Sequence, residues 1–145
     1  LMHTGVRLMS GWIASMAAEI DGRLCGFISG YRLPEHPDVL FIWQVAIDVA
    51  CRGQGLASRM LDELIRRQNG QVRFIHTSIT AANQASWNTF HKLAQRLSAP
   101  LQTRVMFERD AHFGGEHDTE TLVCIGPFHS LDTVAGIVQK TTTES

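Results

Sequence analysis

The 145-residue sequence has no excess of charge of either sign and no long apolar run. Its 13 Lys and Arg against 14 Asp and Glu give a formal net charge of −1, which provides no bulk attraction for nucleic acid or for an anionic membrane surface. No apolar stretch approaches the roughly 20 residues that a helix needs to span a bilayer, and no signal-peptide pattern opens the chain. We therefore expect neither a nucleic acid nor a membrane as a partner.

Cysteine is also scarce. The three cysteines, Cys25, Cys51 and Cys124, are far apart and form no CxxC pair, so their spacing suggests neither a zinc knuckle nor a disulfide framework. Reduced thiols in the cytoplasm fit this pattern best. The His and acidic residues within 112–120 have no favoured spacing for metal ligands and no cysteine among them, which predicts that the protein has no metal site.

What the chain does contain is an alternation of strand and helix patterns, with 44% hydrophobic residues. We expect a single domain over residues 1–133 and a tail over 134–145. Strand patterns lie at 16–20, 24–31, 40–47, 72–80, 104–107 and 122–125, helix patterns at 55–67 and 83–97, and a loop with two prolines at 33–38. This order predicts an α/β (α+β) fold with a mixed sheet, hairpins at its ends and helical crossovers in its middle. The nearly unbroken apolar run at 40–47 predicts a central strand covered on both faces.

The segment between that strand and the first helix carries two glycines and two arginines. Gly53 and Gly55 allow a ligand to approach the bare backbone, and the first N–H groups of a helix have no intrahelical partner and attract anions. Arg52 and Arg59 add donors for charge-assisted hydrogen bonds. A pyrophosphate suits this arrangement, whereas the plainer interpretation is a tight strand-to-helix turn, and spacing alone leaves both open.

The loop fits neither the P-loop pattern nor the GxGxxG fingerprint, because residue 58 is serine. Its sequence RGQGLA at 52–57, after a strand and before a helix, resembles the pyrophosphate loop of the GNAT superfamily of N-acetyltransferases. The resemblance implies the GNAT fold, a mixed and mostly antiparallel sheet with splayed central parallel strands flanked by helices. It also implies acetyl-CoA as cosubstrate, bound by a bulged strand, the loop and the start of the next helix. The residues so implied are Val45, Ala46, Ile47, Arg52, Gly53, Gln54, Gly55, Leu56, Ala57, Ser58, Arg59 and Asn83.

Over roughly residues 12–128 the chain resembles one branch of the superfamily more closely, the L-2,4-diaminobutyrate acetyltransferases of ectoine biosynthesis. The stretches that carry this resemblance are 22–48, the loop, 77–86 (TSITAANQAS) and 113–127 (FGGEHDTETLVCIGP). It implies acetyl transfer to the γ-amine (N4) of diaminobutyrate, a role in osmoprotection and a homodimer. It also implies a substrate pocket that includes Trp43, His117 and Glu120.

These three residue types suit the chemistry. An alkylammonium is almost fully charged at pH 7 and must lose a proton before it can attack a thioester. Glu120 and His117 are candidates for the catalytic proton acceptor, and the ring face of Trp43 can attract a cation. Apart from the resemblance, Trp43 has an equally good interpretation as a core residue, and His117 and Glu120 have a better one as solvated surface.

Two features depart from the superfamily pattern. Phe90 stands on the second helix where many GNAT enzymes have a tyrosine that protonates the departing thiolate, so another group or water serves here or the thiolate leaves as the anion. Residues 1–12 show no counterpart of the N-terminal segment that the resemblance implies, so we expect part of the family fold to be missing. Two alternatives stay open: an acetyltransferase for another small amine, and a non-catalytic module that binds acyl-CoA.

Overall fold

The computed structural model describes residues 2–9, 13–108 and 119–129. Its strands are β1 (Met2–Met9), β2 (Ile13–Ile20), β3 (Arg23–Leu33), β4 (His36–Ile47), β5 (Phe74–Thr80), β6 (Leu101–Glu108) and β7 (Thr119–Ile125). Its helices are α1 (Leu56–Arg66), α2 (Gln84–Arg96) and a short 3₁₀ helix (Val49–Cys51).

The strands form one sheet in the order β1-β2-β3-β4-β5-β7-β6. Every neighbouring pair is antiparallel except β4 and β5, which are parallel and are connected through α1. The predicted fold class, a mostly antiparallel sheet with a central parallel pair and flanking helices, is confirmed.

Helix positions agree with the sequence pattern better than strand positions do. The helix α2 begins one residue later than the pattern 83–97 predicts, because the side chain of Asn83 caps it by accepting a hydrogen bond from the Ser86 N–H at 3.2 Å. The predicted loop at 33–38 is wrong for its second half, because β4 already begins at His36 and includes Pro37. Proline is tolerated near the beginning of a strand, where a missing N–H costs little.

One face of the sheet packs against both helices and forms the core. Leu40 and Ile42 of β4 are buried there, whereas Trp43 is 57% exposed and Gln44 is exposed too. The expectation that 40–47 is covered on both faces is therefore wrong. In the described part of the chain the two α-helices lie on the same face as these buried residues, so that alternate side chains of β4 remain partly open.

Cys25 and Cys51 are joined by a disulfide, with their Cα atoms 5.7 Å apart. The expectation of three reduced thiols is wrong for this pair, because the fold brings together residues that are 26 positions apart in the sequence. Ile47 at the end of β4 pairs with Gly26, and the next N–H, that of Asp48, donates to the Cys25 carbonyl at 2.8 Å. Cys124 is a free thiol whose pKa is raised by burial.

Candidate active site

The central parallel strands separate part-way along their length. β4 and β5 pair from Val39 opposite Phe74 to Ile42 opposite Thr77, and beyond that rung their ends diverge. The hydroxyl of Thr77 donates a 2.8 Å hydrogen bond to the Ile42 carbonyl at the point of separation. Trp43 has no opposite residue on β3, since the register shifts there, so β4 carries a bulge beside the opening. The splayed strands and the bulged strand that the resemblance implies are both present.

The glycine loop follows β4 and leads directly into α1. Gly53 and Gly55 have φ of +81° and +68°, in the left-handed region that favours glycine. A Cβ at either position meets no protein atom within 4 Å, so both residues face open space. Gly55 is the N-cap of α1 and offers no side chain to the first N–H groups of the helix. These N–H groups are therefore available to an anion in front of the loop.

A groove connects the divergent strands to this loop, in three compartments of about 200, 300 and 260 Å³. The compartment of about 200 Å³ lies beside the bulge, and we call it the acceptor compartment. Its lining includes Trp43, Thr77, Ser78, Asn83, Ser86 and Phe90. The middle compartment shares Asn83, Ser86 and Phe90 with it and adds Ile47, Arg52 and Thr89. The outer compartment shares Ile47, Arg52 and Thr89 with the middle one and adds the loop glycines, Asn88 and Lys92. Neighbouring compartments thus share wall residues from the bulge to the glycine loop.

Most of the residues that the sequence predicts for coenzyme binding line this groove. They are Val45, Ile47, Arg52, Gly53, Gly55, Leu56, Ala57, Ser58 and Asn83. Ala46 is half-buried and Gln54 and Arg59 are exposed, and these three do not line any of the three compartments. The loop therefore contributes its backbone and Arg52 to the groove, while Arg59 lies away from its walls.

The residues predicted for the acceptor amine have different outcomes. Trp43 lines the acceptor compartment with a largely exposed side chain. Glu120 lies in β7 opposite Thr80, the last residue of β5, and on the same face of the sheet as Ser78. Ser78 lines the acceptor compartment and Glu120 does not; the pair of Glu120 with Thr80 is two residue pairs beyond the pair that contains Ser78. His117 lies outside the described residues.

The resemblance implied that the helix beginning near Asn83 flanks the coenzyme, but it did not name the residues of α2 that line the groove. Ala85, Asn88, Thr89 and Lys92 of α2 line the outer compartment, and their spacing of three, four and seven residues places them on one helical face. In the sequence these residues form a polar stripe beside the buried stripe of α2 that contains Phe90. The polar stripe indicates a binding surface only because the glycine loop lies opposite it.

The start of the loop is fixed by Asp48. Its carboxylate accepts a hydrogen bond from the Ala50 N–H at 3.1 Å and one from Arg23 at 3.3 Å. The backbone hydrogen bond, with Arg23 and Arg52 adding to it, lowers the pKa of this carboxyl group. The carboxylate therefore stays ionised at neutral pH and caps the 3₁₀ helix that precedes the loop.

Two further properties concern only the part of the chain that the structure describes. It contains no group of three or more His, Cys, Asp or Glu side chains that could hold a metal ion. Neither of its α-helices is long and apolar enough to cross a membrane.

Comparison with known proteins agrees with this geometry. The family model for the GNAT family of acetyltransferases matches residues 6–94. The chain belongs to the GNAT acetyltransferase family. Within this family the curated relatives include L-2,4-diaminobutyric acid acetyltransferases. The one from Methylotuvimicrobium alcaliphilum is 47% identical over 81% of this chain and 69% of its own length. The one from Halomonas elongata is 44% identical over 80% of this chain and 60% of its own length.

Among solved structures, this GNAT chain is similar to the diaminobutyrate acetyltransferase EctA from Paenibacillus lautus, in complex with its substrate L-2,4-diaminobutyric acid and coenzyme A. The TM-score is 0.72 and the identity is 38%, over 79% of this chain and 70% of that one. The resemblance to the diaminobutyrate branch is confirmed. The chain spans 60–69% of the length of the two curated relatives.

Proposed function

We propose that the chain transfers the acetyl group of acetyl-CoA to the γ-amine (N4) of L-2,4-diaminobutyrate, a step of ectoine biosynthesis and osmoprotection. The observation that carries the proposal is the divergence of β4 and β5 beside the glycine loop, in a chain 47% identical to a diaminobutyric acid acetyltransferase. The Paenibacillus lautus complex holds both diaminobutyric acid and coenzyme A, which supports the same pair of ligands here.

The coenzyme end of the groove fits an acyl-CoA in shape and charge. Arg52 and the residues at the start of α1 line the outer compartment, where the guanidinium and the free N–H groups bind the pyrophosphate. The backbone of β4 beyond Ile42 has no partner strand on its β5 side among the described residues. Alternate N–H and C=O groups of this edge, near Val45 and Ile47, bind the pantetheine arm. One such N–H polarises the thioester carbonyl.

The acceptor end holds the amine. The face of Trp43 attracts the ammonium. Glu120 accepts one proton from it before the nitrogen attacks the thioester carbon, and His117, as a second acceptor, takes the proton that the nitrogen loses as the amide forms. The new C–N bond forms as the C–S bond breaks. Phe90 lines this compartment and the middle one, and its ring donates no proton. The thiolate therefore leaves as the anion or takes a proton from water or another group.

A direct assay tests this proposal. Free thiol and acetylated product are measured together after mixing acetyl-CoA with diaminobutyrate, and the position of the acetyl group is read from fragment masses. We expect one thiol for each product molecule, with the acetyl group on N4. Coenzyme binding without release of thiol on addition of amine identifies a non-catalytic acyl-CoA-binding module instead.

A variant of Glu120 tests the catalytic assignment. Glu120→Gln keeps the size of the side chain and removes its proton acceptor, so kcat/KM for diaminobutyrate falls about a hundredfold while the Kd for CoA does not change. Asn69→Asp, a substitution in the turn after α1 and outside the groove, is the control for effects of substitution in general and shows wild-type kinetics. Equal losses in coenzyme binding and in kcat/KM mean that Glu120 is structural.

We also propose that the protein acts as a homodimer in the cytoplasm, where acetyl-CoA and amino acids are available as metabolites. Val105 and Met106 of the edge strand β6 are 58% and 45% exposed, which supports burial of this edge against a second copy. Light scattering after gel filtration measures the oligomeric state. A monomer at all concentrations contradicts this part of the proposal.

A further inference from the structure

The outer compartment has a cation on each of two walls. Arg52 belongs to the glycine loop, and Lys92 belongs to the facing helix α2. Lys92 follows Ala85 by seven positions, which is about 10 Å along α2. Ala85 also lines the middle compartment, whereas Lys92 lines the outer one alone. Lys92 therefore lies towards the end of the groove that is farther from the acceptor compartment.

The helix α2 contains one lysine, Lys92, and one arginine, Arg96. Among the described residues, Arg96 has an acidic partner and Lys92 has none. Arg96, one turn farther along, donates to Asp62 of α1 at 2.7 Å. The sequence of α2 contains no Asp or Glu, and the structure shows no ion pair for Lys92 among the described residues. Its ammonium is exposed and available to a ligand in the outer compartment.

The coenzyme carries negative charge beyond its pyrophosphate. The N–H groups at the start of α1 and Arg52 suit its pyrophosphate, as described above. Coenzyme A also bears a phosphate at the 3′ position of its ribose, beyond the pyrophosphate when counted from the thiol. A compact, freely rotating ammonium is a good partner for such a terminal phosphate.

We propose that Lys92 binds the ribose 3′-phosphate of the coenzyme and makes the site selective for coenzyme A over 3′-dephospho-coenzyme A. This inference rests on the coenzyme site of the proposed function and adds a specificity-determining residue to it. The loop and the start of α1 then bind the portion that the two coenzymes share. Lys92 reads the phosphate in which they differ.

Calorimetric titration of the full chain with each of the two coenzymes tests the proposal. The wild type binds coenzyme A about tenfold more tightly than the dephospho form, which corresponds to one charge-assisted contact. Lys92→Met weakens binding of coenzyme A to the level of the dephospho form and leaves the Kd of the dephospho form unchanged. Lys92→Arg retains most of the preference. Asn69→Asp, in the exposed turn after α1, lowers the net charge by the same one unit and is the matched control.

The possible results are separable. Equal weakening of both coenzymes in Lys92→Met assigns Lys92 to the pyrophosphate and overturns the proposal, as does an unchanged preference for the phosphorylated form. Failure of the wild type to bind either coenzyme, in protein with an intact thermal transition, contradicts the proposed coenzyme site itself.

Discussion

The hydroxyl of Thr77 donates a 2.8 Å hydrogen bond to the carbonyl oxygen of Ile42 at the last paired rung between β4 and β5. Thr77 is 5% exposed, so this bond is shielded from water. The hydrogen bond links β4 to β5 at the closed end of the cleft, because the two strands diverge immediately beyond it. We therefore expect the width of the cleft to depend on this hydrogen bond.

Removing this bond is expected to disturb the cleft. Thr77→Val keeps the shape of the side chain and deletes the donor, which lowers the free energy of unfolding by about 1–2 kcal/mol and raises the Kd for coenzyme A several-fold. Thr77→Ser keeps the donor and deletes a methyl group, at a cost of about 1 kcal/mol, with wild-type coenzyme affinity. Urea unfolding and calorimetry measure the two quantities. Wild-type coenzyme affinity in the valine variant would show that this hydrogen bond does not determine the width of the cleft.

Gly55 offers a clean test of the anion site because the chain contains a matched glycine elsewhere. Gly55 and Gly22 have φ of +68° and +77°, and a Cβ at either one meets no atom within 4 Å. Alanine at each position therefore carries the same left-handed penalty of about 1–2 kcal/mol. Gly55→Ala is expected to lose coenzyme binding at least tenfold, and Gly55→Val to abolish it, because the added carbons occupy the space in front of the loop. Gly22→Ala, in the β2–β3 turn, keeps full affinity. Equal affinities in the two alanine variants contradict the anion site.

The Cys25–Cys51 disulfide is expected to contribute to stability. Closing a loop of this length restricts the unfolded chain by about 3–4 kcal/mol, since the two cysteines are 26 residues apart. A reducing agent should lower the Tm of the wild type but not that of Cys51→Ser, and Cys124→Ser should behave as the wild type. Alkylation of denatured protein counts the thiols, and we expect one without reductant and three with it. Three without reductant means that the bond is absent in solution.

Stability should also fall as the pH drops below neutrality. Burial, aided by Arg104 and His36, lowers the pKa of His76 below its usual value of 6.5. The unfolded chain therefore binds more protons than the folded chain in this range, and stability decreases as the pH falls from about 6.5 towards the lowered pKa. His76→Gln should show a shallower decline between pH 7 and pH 5 in urea unfolding. Parallel curves for the two proteins contradict this role of His76.

Most elements of the fold could be predicted from local patterns, but β1 (Met2–Met9) could not, and the site could be predicted only in part. The helix α2 followed from periodicity, whereas the capping role of Asn83 is seen only in the structure. The Cys25–Cys51 pair could not be predicted, because it depends on the register of β3 on β4. Lys92 was on a recognisable helical face, but the residues that this face meets depend on where β4 and β5 diverge. Pattern and spacing specify local conformation, whereas these contacts arise between segments far apart in the sequence.

The resemblance extended the prediction beyond what spacing could support. It implied the glycine loop, the bulge and the splayed strands together, and all three are present in the structure. The assignment of Glu120 and His117 to the acceptor amine stays a prediction. In the structure, Glu120 lies opposite Thr80 and on the same face of the sheet as Ser78.

The comparison of kcat/KM for diaminobutyrate, ornithine and lysine at saturating acetyl-CoA tests the central claim most directly. The three acceptors differ by one methylene at each step, and a pocket that fits the shortest should discriminate by about tenfold or more for each added methylene. The account predicts the highest kcat/KM for diaminobutyrate, with ornithine at least about tenfold lower and lysine lower still. Equal values for the three amines would contradict it and identify an acetyltransferase for another acceptor.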